Sequence, residues 1–143
     1  MKTIISALLL VFTFQGINAQ TPTKKTVEEQ AIKKVLLDYI EGTAEGQPER
    51  IKNAFHRDLN LYSIENNNLR ALKGQQYISY FKQGQKRNRI GKIISIDYVN
   101  DAAMAKVEID VPDKKRLYTD YMMLLKVTGK WKIIHKSYTS EKY

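Results

Sequence analysis

From Ile90 to the C-terminus apolar and polar residues alternate every second position, whereas upstream they recur every three to four. These two periods assign the later half of the chain to strands and much of the earlier half to helices. Ile90–Val99 and Ala102–Val111 read as strands joined at Asn100-Asp101, a two-residue hairpin signal. In the second of them Ala103, Ala105, Val107, Ile109 and Val111 share the inward face, against Lys106, Glu108 and Asp110. After the charged connection Pro112–Arg116, the stretch Leu117–Tyr138 forms a long hairpin that turns at Thr128-Gly129-Lys130. Alternation in its last strand separates Trp131, Ile133, His135 and Ser137 from Lys132, Ile134, Lys136 and Tyr138. The tryptophan set is assigned to the core and the lysine set to the face nearer water.

Upstream, Thr26-Val27-Glu28-Glu29 is a capping box that opens a helix. Its apolar stripe runs through Val27, Ala31, Ile32, Val35, Leu36, Tyr39 and Ile40, and Gly42 and Gly46 end it. Pro48 starts a second helix reaching His56, where an imidazolium suits the helix dipole. Asp58–Ile64 alternates as a strand, Glu65–Asn68 is a turn and Leu69–Leu72 a brief strand. A third helix spans Gln75–Gln83, followed by the basic loop Lys86-Arg87-Asn88-Arg89. Three helices, mostly early, and a run of consecutive antiparallel strands make an α+β domain.

Composition narrows the setting. With 143 residues, 43% of them hydrophobic, the chain suits one globular domain. Lys2, the apolar run Ile4–Phe14 and the small residue Ala19 make residues 1–19 a signal peptide cleaved after Ala19. Residues 20–25, with Pro22, form a mobile tail, and 26–143 the domain. The product is then periplasmic or secreted, and the apolar run is too short for a stable membrane anchor. There is no cysteine, so no disulfide or lipid-modified thiol is available. A net charge of +9 favours acidic partners. Export and the lack of any base-reading motif exclude nucleic acid.

Several segments resemble one superfamily when taken in order: Leu-Leu-Asp-Tyr-Ile-Glu-Gly closing the first helix, Glu-Gly-Gln-Pro-Glu-Arg, Ala-Phe-His-Arg-Asp-Leu, and Asp-Tyr-Met-Met-Leu-Leu-Lys-Val-Thr-Gly-Lys-Trp-Lys-Ile-Ile-His-Lys. Together they resemble the nuclear transport factor 2-like superfamily, and within it the polyketide cyclase-like group labelled putative lumazine-binding, from about Thr26 to Tyr138. The resemblance implies a strongly bent sheet wrapped around three helices, cone-shaped with a pocket at the wide end, and a homodimer formed through the sheet. Fold alone assigns no activity, because the superfamily hosts many. Ketosteroid isomerase, a relative, polarises a carbonyl with a tyrosine late in the first helix and a carboxylic acid early in the penultimate strand. Tyr39 and Asp120 occupy similar positions. Its proton-shuttling aspartate is matched here only by Ser63 or Tyr62, neither a carboxylate base, which argues against isomerase chemistry.

The residues expected to line a pocket are Tyr39, Tyr62, Phe81, Tyr118, Asp120, Met122, Trp131 and His135. Tyr39 and Asp120 should share one cavity, with Tyr62 and Phe81 on its walls, and Asp120 should be dispensable for folding. No spacing of His56, His135 and the acids suggests a metal, and no cofactor is expected. Lys86–Arg89 and Lys114-Lys115-Arg116 read as solvated loops that would draw an anionic ligand if they flank the pocket mouth. The leading reading is therefore an exported domain that binds a small molecule. An enzyme of cyclase or isomerase type using Asp120 with His135 or Tyr39 is the alternative. A dimeric scaffold without ligand is the third.

Overall fold

The computed structural model describes residues 23–143. The leader expected at residues 1–19 lies outside the described residues. Helix α1 (Lys24–Glu45) starts earlier than the capping box at Thr26 suggests. Thr23 is the cap, its hydroxyl oxygen accepting from the Thr26 N–H at 3.3 Å. The helix also runs through Gly42 and stops at Gly46, whose φ is +64°. A side chain at Gly46 would overlap the backbone of Gln85, because the loop after the third helix closes onto this end. Its Gly84 and Arg87 N–H groups donate to the carbonyls of Gly46 and Ala44 at 2.8 and 2.7 Å.

Helix α2 (Pro48–Ala54) is shorter than expected, because Phe55 turns extended (φ −87°, ψ 144°) and begins strand β1 (Phe55–Glu65). His56 thus sits in a strand rather than at a helix end, and its Nδ1 accepts from the Asp58 N–H at 3.3 Å. Strand β2 (Asn68–Lys73) and helix α3 (Gly74–Ser79) follow. Then come β3 (Ile90–Val99), β4 (Ala102–Val111), β5 (Arg116–Val127) and β6 (Lys130–Lys142). The six strands form one sheet in the order β2-β1-β6-β5-β4-β3. Every neighbour pair is antiparallel except β1 and β6, which run parallel. These two lie far apart in sequence, so no hairpin constrains their direction, and the long connection through α3 and four strands allows a parallel pairing. The asparagine turns behave as their sequences indicate, with φ of +50° and +62° at Asn66 and Asn67 and +55° at Asn100.

Ile32, Leu36, Tyr39 and Ile40 of α1 are buried together with Val107 and Ile109 of β4, Met122 and Leu124 of β5, and Trp131 and Ile133 of β6. The hairpin tip is tied to the start of α1 through Glu28, which accepts from Trp131 Nε1 at 2.8 Å and pairs with Lys126 at 2.5 Å.

One irregularity in β6 decides which side chains reach the interior. Ile133 pairs with Leu124, but His135 pairs with Met123, so Ile134 is an extra residue in the ladder. Before the bulge Trp131 and Ile133 face inward; after it Lys136 is the buried residue. The uninterrupted alternation expected for this strand is therefore wrong beyond Ile133, and Lys136 exchanges places with His135.

Gly91 of β3 lies directly against Ile40 of α1; a Cβ there would overlap the Ile40 side chain. Gly91→Ala should lower stability by about 1–3 kcal/mol through overpacking. Urea denaturation checks this, and an unchanged midpoint would show that α1 does not rest on β3.

Candidate functional site

Where β5 begins and β6 approaches its end, the inward positions change from aliphatic to polar and aromatic. Alternation along β5 turns Tyr118, Asp120 and Met122 to the helix side. The bulge does the same for Lys136 and Tyr138 of β6. Tyr39 enters from the last third of α1, Tyr77 from α3, and Phe81 from the turn after it. The loop fastened to the end of α1 lays the Arg87 and Arg89 guanidinium groups over the Phe81 ring at 4.5 and 5.9 Å.

Tyr39, Asp120 and Lys136 form a closed triangle of hydrogen bonds. The Tyr39 hydroxyl donates to Asp120 Oδ2 at 2.8 Å, and Lys136 Nζ donates to the Tyr39 oxygen at 2.6 Å. Lys136 Nζ lies 2.8 Å from the same carboxylate oxygen. Asp120 and Tyr39 have no exposure, and the Lys136 side chain has 5%. The ammonium is also surrounded by the rings of Tyr39, Tyr77 and Tyr138, 4.8, 5.3 and 5.1 Å from their centroids. Burial, and next the Asp120 charge, push the Tyr39 phenol well above its ordinary range. Burial opposes the charge on Arg89, but Tyr77, Tyr39 and Asp120 facing it raise its pKa nonetheless. Two buried polar atoms here have no partner: Asp120 Oδ1 and Arg89 Nε. One is an acceptor and the other a donor, and a bound molecule carrying both kinds of group would satisfy them.

Of the pocket residues expected from the sequence, Tyr39, Phe81, Tyr118, Asp120 and Met122 gather on this side of the sheet. Tyr62 and His135 do not. The bulge sends His135 to the opposite face, where its ring stacks on Tyr62 at 5.2 Å and its Nε2 lies 2.8 Å from the Ser137 hydroxyl. That outer face holds a hollow of about 400 Å³ lined by Met104, Lys106, Tyr121, Met123 and His135. Trp131 faces inward but at the other end of the sheet. Its partner Glu28 is about 16 Å along α1 from Tyr39, so the tryptophan is a core residue and not a wall. The expectation that Asp120 is dispensable for folding meets a buried pair here, because its removal would strand the Lys136 charge. Lys136, Tyr77 and Tyr138 were not foreseen, and Arg89 only as part of a basic loop that would draw an anion if it flanked the pocket mouth. One signal was available for Lys136: consecutive apolar residues at Ile133-Ile134 interrupt the alternation, as Ile93-Ile94 do at a second bulge in β3.

Comparison with known proteins places the chain. The family described as putative lumazine-binding matches residues 27–139. A nuclear transport factor 2-like protein of unknown function from Shewanella baltica is 26% identical, with a TM-score of 0.74 over 85% of this chain and 100% of that one. A second, from Silicibacter pomeroyi, gives 0.73 at 17% identity over 83% of this chain and 100% of its own. Among characterised proteins, the aldolase FrzH of a Cladobotryum species is 23% identical over 103 residues, 71% of this chain and 82% of that protein.

The triangle yields two expectations. Asp120→Leu and Lys136→Met should each destabilise the fold by about 3–5 kcal/mol, because each leaves an uncompensated buried group, while the two together should recover much of the loss. A denaturant series across this cycle checks it, and strictly additive losses would refute the pairing. Because the folded-state pKa of Tyr39 is raised, its contribution to stability is complete below its ordinary pKa near 10 and is lost as pH climbs through the raised value. Unfolding at alkaline pH should therefore depend less steeply on pH in Tyr39→Phe than in the parent, and equal slopes would contradict a protonated buried phenol.

Proposed function

The chain belongs to the putative lumazine-binding family of the nuclear transport factor 2-like superfamily, and from that premise we propose that it is an exported domain binding a small molecule at Tyr39, Asp120 and Lys136. The observation that carries this reading is the orphaned Asp120 Oδ1 in a residue with no exposure. An ionised carboxylate accepts through both oxygens, and leaving one buried and unpaired costs free energy that a ligand N–H or O–H removes. The rings of Tyr77, Phe81, Tyr118 and Tyr138 pack around the triangle, which suits a flat ring system. The family's description, naming lumazine, points the same way.

Export rests on the sequence of residues 1–19, with cleavage after Ala19. A homodimer through the outer face of the sheet is part of the same proposal. Met104, Tyr121 and Met123 are 61%, 54% and 47% exposed there, an apolar patch that a second copy would cover. A second reading, that the site turns its ligand over, is favoured by one contact: the Tyr39 hydroxyl already donates to a carboxylate that an ammonium holds in place. The name of the Cladobotryum relative, an aldolase, is consistent with it. His135 has no part in either reading.

Native mass spectrometry of protein collected from the exported fraction tests the proposal in one measurement. It should give the mass of a dimer of chains beginning at Gln20, with a small molecule retained by the parent and absent from Asp120→Asn. Retention that is indifferent to Asp120→Asn would overturn the site. Turnover requires that Tyr39→Phe retain the compound and fail to convert it.

A further inference from the structure

The second orphaned atom, Arg89 Nε, says more about the ligand than Asp120 does. Arg89 immediately precedes β3, in the loop fastened to the end of α1 by the Arg87 N–H. Its guanidinium lies over Phe81, while its Nε is buried and donates to nothing. Around it the charge is uneven. Arg87 shares the Phe81 ring, Arg116 lies 5.9 Å over the Tyr118 ring, and Lys136 sits among three tyrosines. Asp120 is the carboxylate inside this group, and Oδ2 is already taken by Lys136 and Tyr39. Cations and rings therefore alternate around the site: Arg116, Tyr118, Tyr138, Lys136, Tyr77, Phe81, Arg89.

Resting on the proposed binding site, we infer that the ligand is a small flat organic acid with an N–H or O–H group, its anionic oxygen accepting from Arg89 Nε and its donor reaching Asp120 Oδ1. A neutral ring with a carbonyl would meet both atoms, but its bond to Arg89 would lack the strength that charge adds. A cationic ligand would face Lys136 and Arg89 with only one carboxylate oxygen in return. An anion with a donor meets both orphaned atoms, and its bond to Arg89 is charge-assisted. The aromatic walls account for flatness, because rings and a guanidinium plane both present faces.

Calorimetric titration of the mature chain tests this with the three hydroxybenzoate isomers, unsubstituted benzoate and the three hydroxybenzamides. The isomers sample different separations of donor and anion. The best isomer should bind about ten-fold more tightly than its own amide and several-fold more tightly than benzoate. Arg89→Gln should erase the preference for acid over amide while keeping the preference for the hydroxyl. Arg89→Lys, which retains charge but lacks Nε–H, should lose most of it and serves if the glutamine variant does not fold. Asp120→Asn should instead erase the preference for the hydroxyl over benzoate. Amides binding as tightly as acids, or an acid preference untouched by either Arg89 variant, would sink the acid class and leave the binding site standing. If no compound binds at about 10 mM, the class proposed here falls. Loss of the retained molecule's dependence on Asp120 is what would remove the site itself.

Discussion

A carboxylate with no exposure must be met by a cation, and in this domain the cation arrives only because β6 holds one residue more than its neighbour. Asp120 lies on the inner face of β5 by plain alternation. Lys136 would point to solvent by the same alternation counted from Trp131. The extra residue at Ile134 reverses the face, and the ammonium closes on Asp120 at 2.8 Å. Tyr39 completes the arrangement from α1, so the helix must stand where its hydroxyl reaches both partners. The seating of Ile40 over Gly91 and the Glu28 clamp on Trp131 hold it there.

The inner face is thereby divided in two. From the hairpin tip to Leu124 and Ile133 it is an aliphatic and aromatic core, and beyond them it carries ionised and phenolic groups enclosed by rings. Replacing a buried ion pair with packed hydrophobic residues is often neutral or stabilising. A pair retained in such a place, with one oxygen unsatisfied, is poor economy for stability alone and makes sense as part of a site. The outer face is of a different kind: exposed Met104, Tyr121 and Met123 around a shallow hollow, with no buried charge among the described residues.

Much of this architecture was legible in the residues. The β3–β4 hairpin falls on the expected positions because Asn100-Asp101 fixes its turn and both strands alternate cleanly up to Ile93-Ile94. Tyr39 and Asp120 could be brought together before any coordinates, from the helix stripe and the strand pattern. What plain alternation did not reveal was a change of phase, for which Ile133-Ile134 was the available signal. A strand that gains one residue inverts every side chain after it, so His135 and Lys136 were exchanged by a single local event. The parallel pairing of β1 with β6 and the position of Arg89 were hidden for another reason: both depend on contacts between segments far apart in the chain, and local periodicity carries no record of these.

The most direct test of the account is a crystal structure of the protein as purified, refined well enough to resolve what faces the free oxygen of Asp120. The account requires non-protein density beside the triangle, with a donor about 3 Å from Asp120 Oδ1. An Arg89 guanidinium turned inward to pair with that oxygen, with the rings closed over it, would satisfy both orphaned atoms internally and contradict a ligand site there.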